Sequence, residues 1–163
     1  GSRNGMAMMV YASLHIFGRQ GYELLIDQSI EKAKTFARMI QSNPDFELIT
    51  APTLSLLTYR LNPEALQSKI DSMPQLASAL NLELDQLNVV IQKQQREAGK
   101  SFVSRTRLQT EKYNTQAITV FRVVIANPLT TELDLQNILD EQLALATKTK
   151  IWQKLCAKHK KAG

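Results

Sequence analysis

The residue types best suited to chemistry sit in Phe121-Arg122-Val123-Val124-Ile125-Ala126-Asn127-Pro128-Leu129-Thr130-Thr131. Val120 to Ala126 is β-branched, apolar and, apart from Arg122, uncharged, which is the composition of a strand covered on at least one face. An arginine buried in such a run costs several kcal/mol of desolvation unless an anion or a hydrogen-bonded partner meets it. A carboxylate is the best-matched anion, because a planar guanidinium offers it two parallel N–H bonds. Two readings follow. Arg122 holds a carboxylate-bearing ligand, or it points to solvent or pairs with a structural carboxylate. Asn127-Pro128 ends the strand, and Thr131 is a good N-cap for the helix after it.

Other groups carry less chemistry. His15 lies in an apolar run and is expected to be packed rather than to ligate. Cys156 is the single cysteine, so an intrachain disulfide and a cysteine-rich metal site are excluded, and a reducing compartment is expected. No His, Asp and Glu residues stand at metal-ligand spacing. The glycines are too sparse for a phosphate-binding loop.

The elements that would position Arg122 are legible along the chain. Met6 to Phe17 is helical and apolar on nearly every side, a pattern that must be enclosed or has lost its partner. Gly18 and Gly21 interrupt it. An amphipathic helix follows from about Tyr22 to Gln41, with Leu25, Ile26, Ile30, Ala33, Phe36, Ala37 and Ile40 on one stripe. Strands are expected at Phe46–Thr50 and Leu54–Leu61, joined by Ala51-Pro52-Thr53. Residues 64–80 read as a partly irregular connection broken by Pro74. A helix runs from Leu82 to Ala98, with Leu84, Leu87, Val90 and Ile91 inward, Gln92, Lys93, Gln95 and Arg96 outward, and Gly99 as its stop. Phe102 to Leu108 alternates at period two, Arg105 and Arg107 sharing its polar face. A turn at 113–115, the Arg122 strand and a helix from Glu132 to about Lys148 complete the pattern, and Ile151–Lys158 extends that last helix. This order predicts an α+β fold: a helical segment, then an antiparallel four-stranded sheet covered by helices.

Phe121 to Thr131, with Asp134-Leu135-Gln136-Asn137-Ile138-Leu139-Asp140-Glu141 after it, resembles the C-terminal end of the group II pyridoxal-phosphate-dependent decarboxylases, among them the glutamate, aspartate and cysteine-sulfinate enzymes. Gly1-Ser2-Arg3-Asn4-Gly5 and Gly18-Arg19-Gln20-Gly21-Tyr22-Glu23 are similar to the family's passage out of its large domain. Phe46–Ile49, Leu54–Leu61 and Gly99–Ser104 are similar to strands of its small domain. The resemblance covers roughly residues 1–147, and its bacterial aspartate/glutamate branch looks nearest. It implies the small domain of a fold-type I enzyme that removes the α-carboxylate of an acidic amino acid as carbon dioxide, the pyridoxal phosphate ring taking up the electron pair. It also implies that Arg122 holds a substrate carboxylate and, more weakly, that Arg3 lies near the cofactor or a dimer interface. Residues 1–21 would lead out of a large cofactor-binding domain absent from this sequence, 22–147 would be the small domain, and 148–163 a basic tail. The large domain of the same polypeptide and a second copy of the enzyme are the implied partners.

The family's Schiff-base lysine follows a histidine in the large domain. His159-Lys160 lacks that context, so the chain alone is expected to be inactive. A rival reading is an autonomous α+β module that binds a small ligand or regulates. The helix Met6–Phe17 separates the two, since a free-standing domain would bury it within itself.

Bulk properties bound the remainder. At 163 residues and 44% hydrophobic, the chain suffices for one ordinary core. Its net charge is +5, but six lysines (148, 150, 154, 158, 160 and 161) fall in the last sixteen residues, and without them the body stands near −1. A basic tail on a near-neutral body is expected to be solvated rather than a nucleic-acid site. Hydrophobic runs are too short for a membrane span. The cytoplasm is the expected compartment.

Overall fold

The structure, a computed structural model, describes residues 5–113 and 115–159. Helix α1 (Met6–Ser42) leads into the hairpin β1 (Phe46–Thr53) and β2 (Leu56–Leu61). Two helices follow, α2 (Glu64–Ser72) and α3 (Pro74–Ala98), then β3 (Ser104–Gln109), a 3₁₀ turn (Glu111–Tyr113) and β4 (Ala117–Val124). Helices α4 (Glu132–Thr147) and α5 (Lys150–His159) complete the chain. The sheet is antiparallel and four-stranded, in the order β1-β2-β4-β3. The expected α+β fold is therefore the observed one.

Strand β4 is inserted between β2 and β3 and is hydrogen-bonded on both edges. Side chains alternate across a strand, so Leu57, Tyr59 and Leu61 of β2 share a face with Thr119 and Phe121 of β4. The helices pack there. Tyr59 meets Phe36 of α1 and Phe121 at ring-centroid distances of 5.4 and 5.3 Å. Its hydroxyl donates to Gln142 of α4 at 3.0 Å. Asn88 of α3 receives the Leu61 N–H and donates to the Leu61 carbonyl, at 2.9 and 3.1 Å, as another strand would. Leu84, Leu87 and Ile91 of α3 and Leu135 and Leu139 of α4 fill the layer between.

Several boundaries depart from expectation, each for a local reason. Residues 64–80 are helical on both sides of Met73. Pro74 occupies the first turn of α3, where its missing N–H has no intrahelical partner to lose, so it starts a helix instead of dissolving one. The β1–β2 turn lies at Leu54-Ser55 rather than at 51–53, because Thr53 pairs with Leu56 and Leu54 takes the positive φ of 54°. Gln92 and Gln95, expected outward, are buried. Residues 150–159 of the lysine-rich end form α5, which buries Trp152 and Leu155 against α3 and α4 while Lys150 and Lys154 stay exposed. Gly99 does stop α3, at φ 69° in the left-handed region.

Helix α1 is two helices in one run, broken where Gly18 takes φ 61° and ψ −176°. After the break, Ala33, Phe36, Ala37 and Ile40 are buried as their stripe requires. Before it, the apolar side chains stand in solvent: Met8 is 76% exposed, Met9 65% and Ile16 77%. His15 is exposed as well, its ring against Tyr11, so the expectation of a packed histidine is corrected. An uncharged, apolar helix segment with no cover is the kind of surface that marks an interface. The isolated chain is expected to self-associate through Met6–Phe17, sedimenting above monomer mass at micromolar concentration, with a Met9→Glu/Ile16→Glu variant returning to monomer. A monomer at high concentration, with this helix ordered and uncovered, would contradict it.

Candidate functional site

Arg122 occupies the central strand, opposite Thr58 of β2 and Ser104 of β3. Alternation puts it on the sheet face away from Tyr59 and Phe121, and there its side chain is exposed. The expectation of a buried Arg122 is thus corrected. The run Val120–Ala126 is apolar because Phe121 and Ile125 are buried on the helix side and Val120 is buried on the face of Arg122, while Val124, 55% exposed, lies uncovered beside Arg122. No described side chain forms an ion pair or hydrogen bond with the guanidinium. Its carbonyl accepts from Ser104 Oγ at 2.8 Å.

Beside Arg122 opens a cleft of about 330 Å³. Its walls are the approach to β3 (102–104), the end of β4 and its continuation (122–125), and Leu135 and Ile138 of α4, with Thr130 above them. The loop carrying Thr130 is tightly made. Asn127 Oδ1 accepts the Leu129 N–H at 3.0 Å, and Lys32 of α1 donates to the Pro128 carbonyl. Thr131 caps α4 as expected: its hydroxyl accepts from the Asp134 N–H at 3.2 Å, and Asp134 returns a bond to the Thr131 N–H at 2.8 Å. That backbone bond, then the Thr131 hydroxyl, holds the Asp134 carboxyl below its ordinary range. The site is a lone cation at the mouth of an apolar slot.

The arginine that is buried is Arg60, 0% exposed and missed by sequence reasoning. Its Nε donates to Glu47 Oε2 at 2.9 Å and its Nη1 to Asn81 Oδ1 at 3.0 Å, while its guanidinium stacks over the Tyr113 ring at 4.6 Å. Glu47 also accepts from Asn62, Lys112 and Tyr113. The signal was available: Arg60 stands in the apolar strand Leu56–Leu61, and the hairpin places Glu47 directly opposite it. Four donors occupy both carboxylate oxygens, so the cluster is an internal tie and leaves Glu47 no acceptor capacity for a reactant.

The structure thus has Arg60 inside and Arg122 at the cleft. Arg3 and Lys160 lie outside the described residues. Among the described residues no group of His, Cys, Asp and Glu could hold a metal ion, and no helix is long and apolar enough to cross a membrane.

Comparison with known proteins bears on this arrangement. No protein-family model matches the chain. It is 53% identical over 152 residues, 93% of its length, to the aspartate 1-decarboxylase of Aliivibrio fischeri, and it spans 28% of that relative. The glutamate decarboxylase domain of a diaminobutyrate-pyruvate transaminase and L-2,4-diaminobutyrate decarboxylase from Vibrio parahaemolyticus superposes with a TM-score of 0.66 at 21% identity, covering 86% of this chain and 25% of that one. Mouse CSAD superposes with a TM-score of 0.69 at 23% identity, covering 84% and 27%. The fold is that of one part of a decarboxylase chain.

Glu47 sets an acid limit on this fold. Burial pushes its carboxyl up, but the Arg60 charge and the hydrogen bonds from Lys112, Tyr113 and Asn62 overcome that and hold it at about 2, against an ordinary 4.5. A depressed carboxyl pKa stabilises the fold fully above the unfolded value and loses that contribution as pH falls through the folded one. Chemical denaturation should therefore show stability falling between about pH 4.5 and 2. Glu47→Gln should cost about 3–5 kcal/mol at pH 7, because it leaves Arg60 buried without its counter-charge, and should flatten that acid slope. An unchanged slope would assign the acid sensitivity elsewhere.

Proposed function

We propose that this chain is the C-terminal part of a pyridoxal-phosphate-dependent decarboxylase acting on an acidic amino acid, aspartate or glutamate, in which Arg122 holds a substrate carboxylate. The observation that carries this is an exposed arginine without a described partner, fixed on the central strand at the mouth of an apolar cleft. It stands in a chain 53% identical to an aspartate 1-decarboxylase. A guanidinium that no protein carboxylate neutralises is available to an incoming anion, and its fork receives both carboxylate oxygens at once. The strand fixes the direction from which the substrate is held, and orientation of this kind lowers a barrier without any chemistry by the residue itself. The apolar walls exclude water once the cleft is closed, which strengthens the charged contact.

The cofactor itself does not fit the residues present. It needs a lysine, an acid opposite the pyridine nitrogen and a phosphate cradle, and the lining of the Arg122 cleft includes neither a lysine nor a carboxylate. Those groups belong, on this reading, to the rest of the polypeptide, with which the exposed half of α1 is continuous in its need for cover. That exposure favours a part of a larger enzyme over the autonomous ligand-binding or regulatory module, which would enclose its own helix. A homodimer in the cytoplasm is the assembly and location we assign, the single cysteine fitting a reducing compartment.

Steady-state kinetics on the full-length polypeptide, beside thermal melting, tests the role of Arg122. Arg122→Ala should lower kcat/KM by about 2–4 kcal/mol in transition-state terms while the melting temperature stays near that of the parent. Arg122→Lys keeps the charge and loses the fork, so it should remain harmful. Normal turnover in Arg122→Ala would return the residue to a solvent-facing or structural role. A second measurement addresses the cofactor: the isolated chain, mixed with pyridoxal phosphate and reduced with borohydride, should show no stoichiometric adduct by intact mass. One adduct confined to a single lysine would overturn the fragment reading.

A further inference from the structure

Helix α3 buries amides where leucines would fit. Asn81, Asn88, Gln92 and Gln95 all lie within its covered surface, although an amide in a core stabilises less than a hydrocarbon of its size unless each polar atom is bonded. Two of them grip the same short segment. Gln92 Nε2 donates to the Val103 carbonyl at 3.2 Å, while its Oε1 accepts from Arg105 Nη1 at 3.2 Å. Gln95 Nε2 donates to Ser101 Oγ at 2.7 Å, and Ser101 in turn donates to Glu141 of α4. Gln95 Oε1 accepts from Gln142 at 3.1 Å, and Gln142 accepts from the Tyr59 hydroxyl at 3.0 Å. A continuous chain of hydrogen bonds thus runs from the core tyrosine through α4 and α3 to the residues just before β3. At the far end of the segment, Ser104 is tied to the Arg122 carbonyl. Residues 102–104 are one wall of the Arg122 cleft.

We propose that Gln92 and Gln95 are positioning residues for the Arg122 cleft, clamping the 101–104 wall at a fixed distance from the guanidinium. The segment needs such a clamp. It precedes β3, so no ladder bond holds 101–103 to the sheet; Phe102 is 65% exposed, and Val103 is the one side chain of the segment buried in the core. Burial of Val103 holds the middle of the segment, while its polar atoms are fixed by Gln92, Gln95 and Glu141, Gln95 being the member of the set that continues to Gln142 and Tyr59. A wall that drifts by about 1 Å would change how a carboxylate sits against Arg122, and misplacement on that scale is enough to slow a positioned reaction substantially.

The inference rests on the carboxylate-binding reading of Arg122, so its test is a double-mutant cycle in the full-length polypeptide. Gln95→Leu leaves the buried Gln142 amide without its acceptor, so the melting temperature should fall by a few degrees, and kcat/KM of the folded protein should drop by about tenfold, mainly through KM. In an Arg122→Ala background the same change should lower it by less than about twofold, because a residue that acts through Arg122 has nothing left to position. Ser101→Ala cuts the link from its outer side and should reproduce the effect, which keeps the test available if Gln95→Leu fails to fold. Equal losses in both backgrounds, or no loss beside an intact Arg122, would overturn the clamp and leave the role of Arg122 standing. Wild-type kinetics in Arg122→Ala alone would overturn the carboxylate-binding reading and the clamp with it.

Discussion

The pairing of β4 with both β2 and β3 is the constraint on which the remainder depends. A central strand needs partners on both edges, and here they come from opposite sides of a long helical excursion, Leu56–Leu61 before it and Ser104–Gln109 after it. The register on both sides agrees at Arg122, which meets Thr58 and Ser104. A slip of one residue would carry Arg122 into the helix-facing core beside Tyr59 and bring Phe121 out to solvent, because side chains alternate at a period of two. Burial of Leu57, Tyr59, Leu61 and Phe121 opposes that slip, each such side chain contributing about 1.5–3 kcal/mol. The position of the proposed site is thus stabilised mainly by residues that never touch it.

Polar groups inside the molecule do a different task from the apolar ones. Asn88 supplies the strand end at Leu61 with hydrogen bonds that no neighbouring strand offers, and Gln92 does the same for the Val103 carbonyl. The Glu47–Arg60 pair ties β1 to β2 and, through Tyr113 and Asn81, to the 3₁₀ turn and α3. Such groups add little net stability compared with a hydrocarbon core, but an unpaired one is expensive, so they admit few alternative packings. The apolar layer provides the energy of the fold, and the amides and the buried ion pair select among its arrangements.

Two surfaces remain apolar where solvent would favour polar groups. The first half of α1 is one, and the other is the rim of the cleft, where Phe102 and Val124 flank Arg122. Both suit a chain that spans 28% of its curated relative. The sheet face of Arg122 is buried at Ile118, Val120 and Arg60 and exposed only at its end, where Arg122 and Val124 stand.

Local signals in the chain were sufficient for its elements. Period-two and 3.6-residue patterns marked the strands and main helices, Gly99 marked the end of α3, and Thr131 marked the start of α4, because these depend on neighbours within a turn or two. Where they failed, the deciding partner was distant. Gln92 and Gln95 look like surface residues until the 101–104 segment and Gln142 are brought against them. Pro74 looks like a breaker until α2 and α3 are seen to meet at it. The same limit divided the arginines. Arg60 and Arg122 each stand in an apolar strand, and desolvation cost alone treats them equally. Glu47 across the hairpin makes one of them a buried tie, while the other, opposite Thr58 and Ser104 near the end of its strand, keeps an exposed guanidinium with no described partner. That an arginine would lie in each strand was determined by the sequence; which one was buried was decided only by the tertiary structure, because the two share a sheet face and burial depends on the distant groups brought against it, Glu47, Asn81 and Tyr113 around Arg60 and no described partner at Arg122.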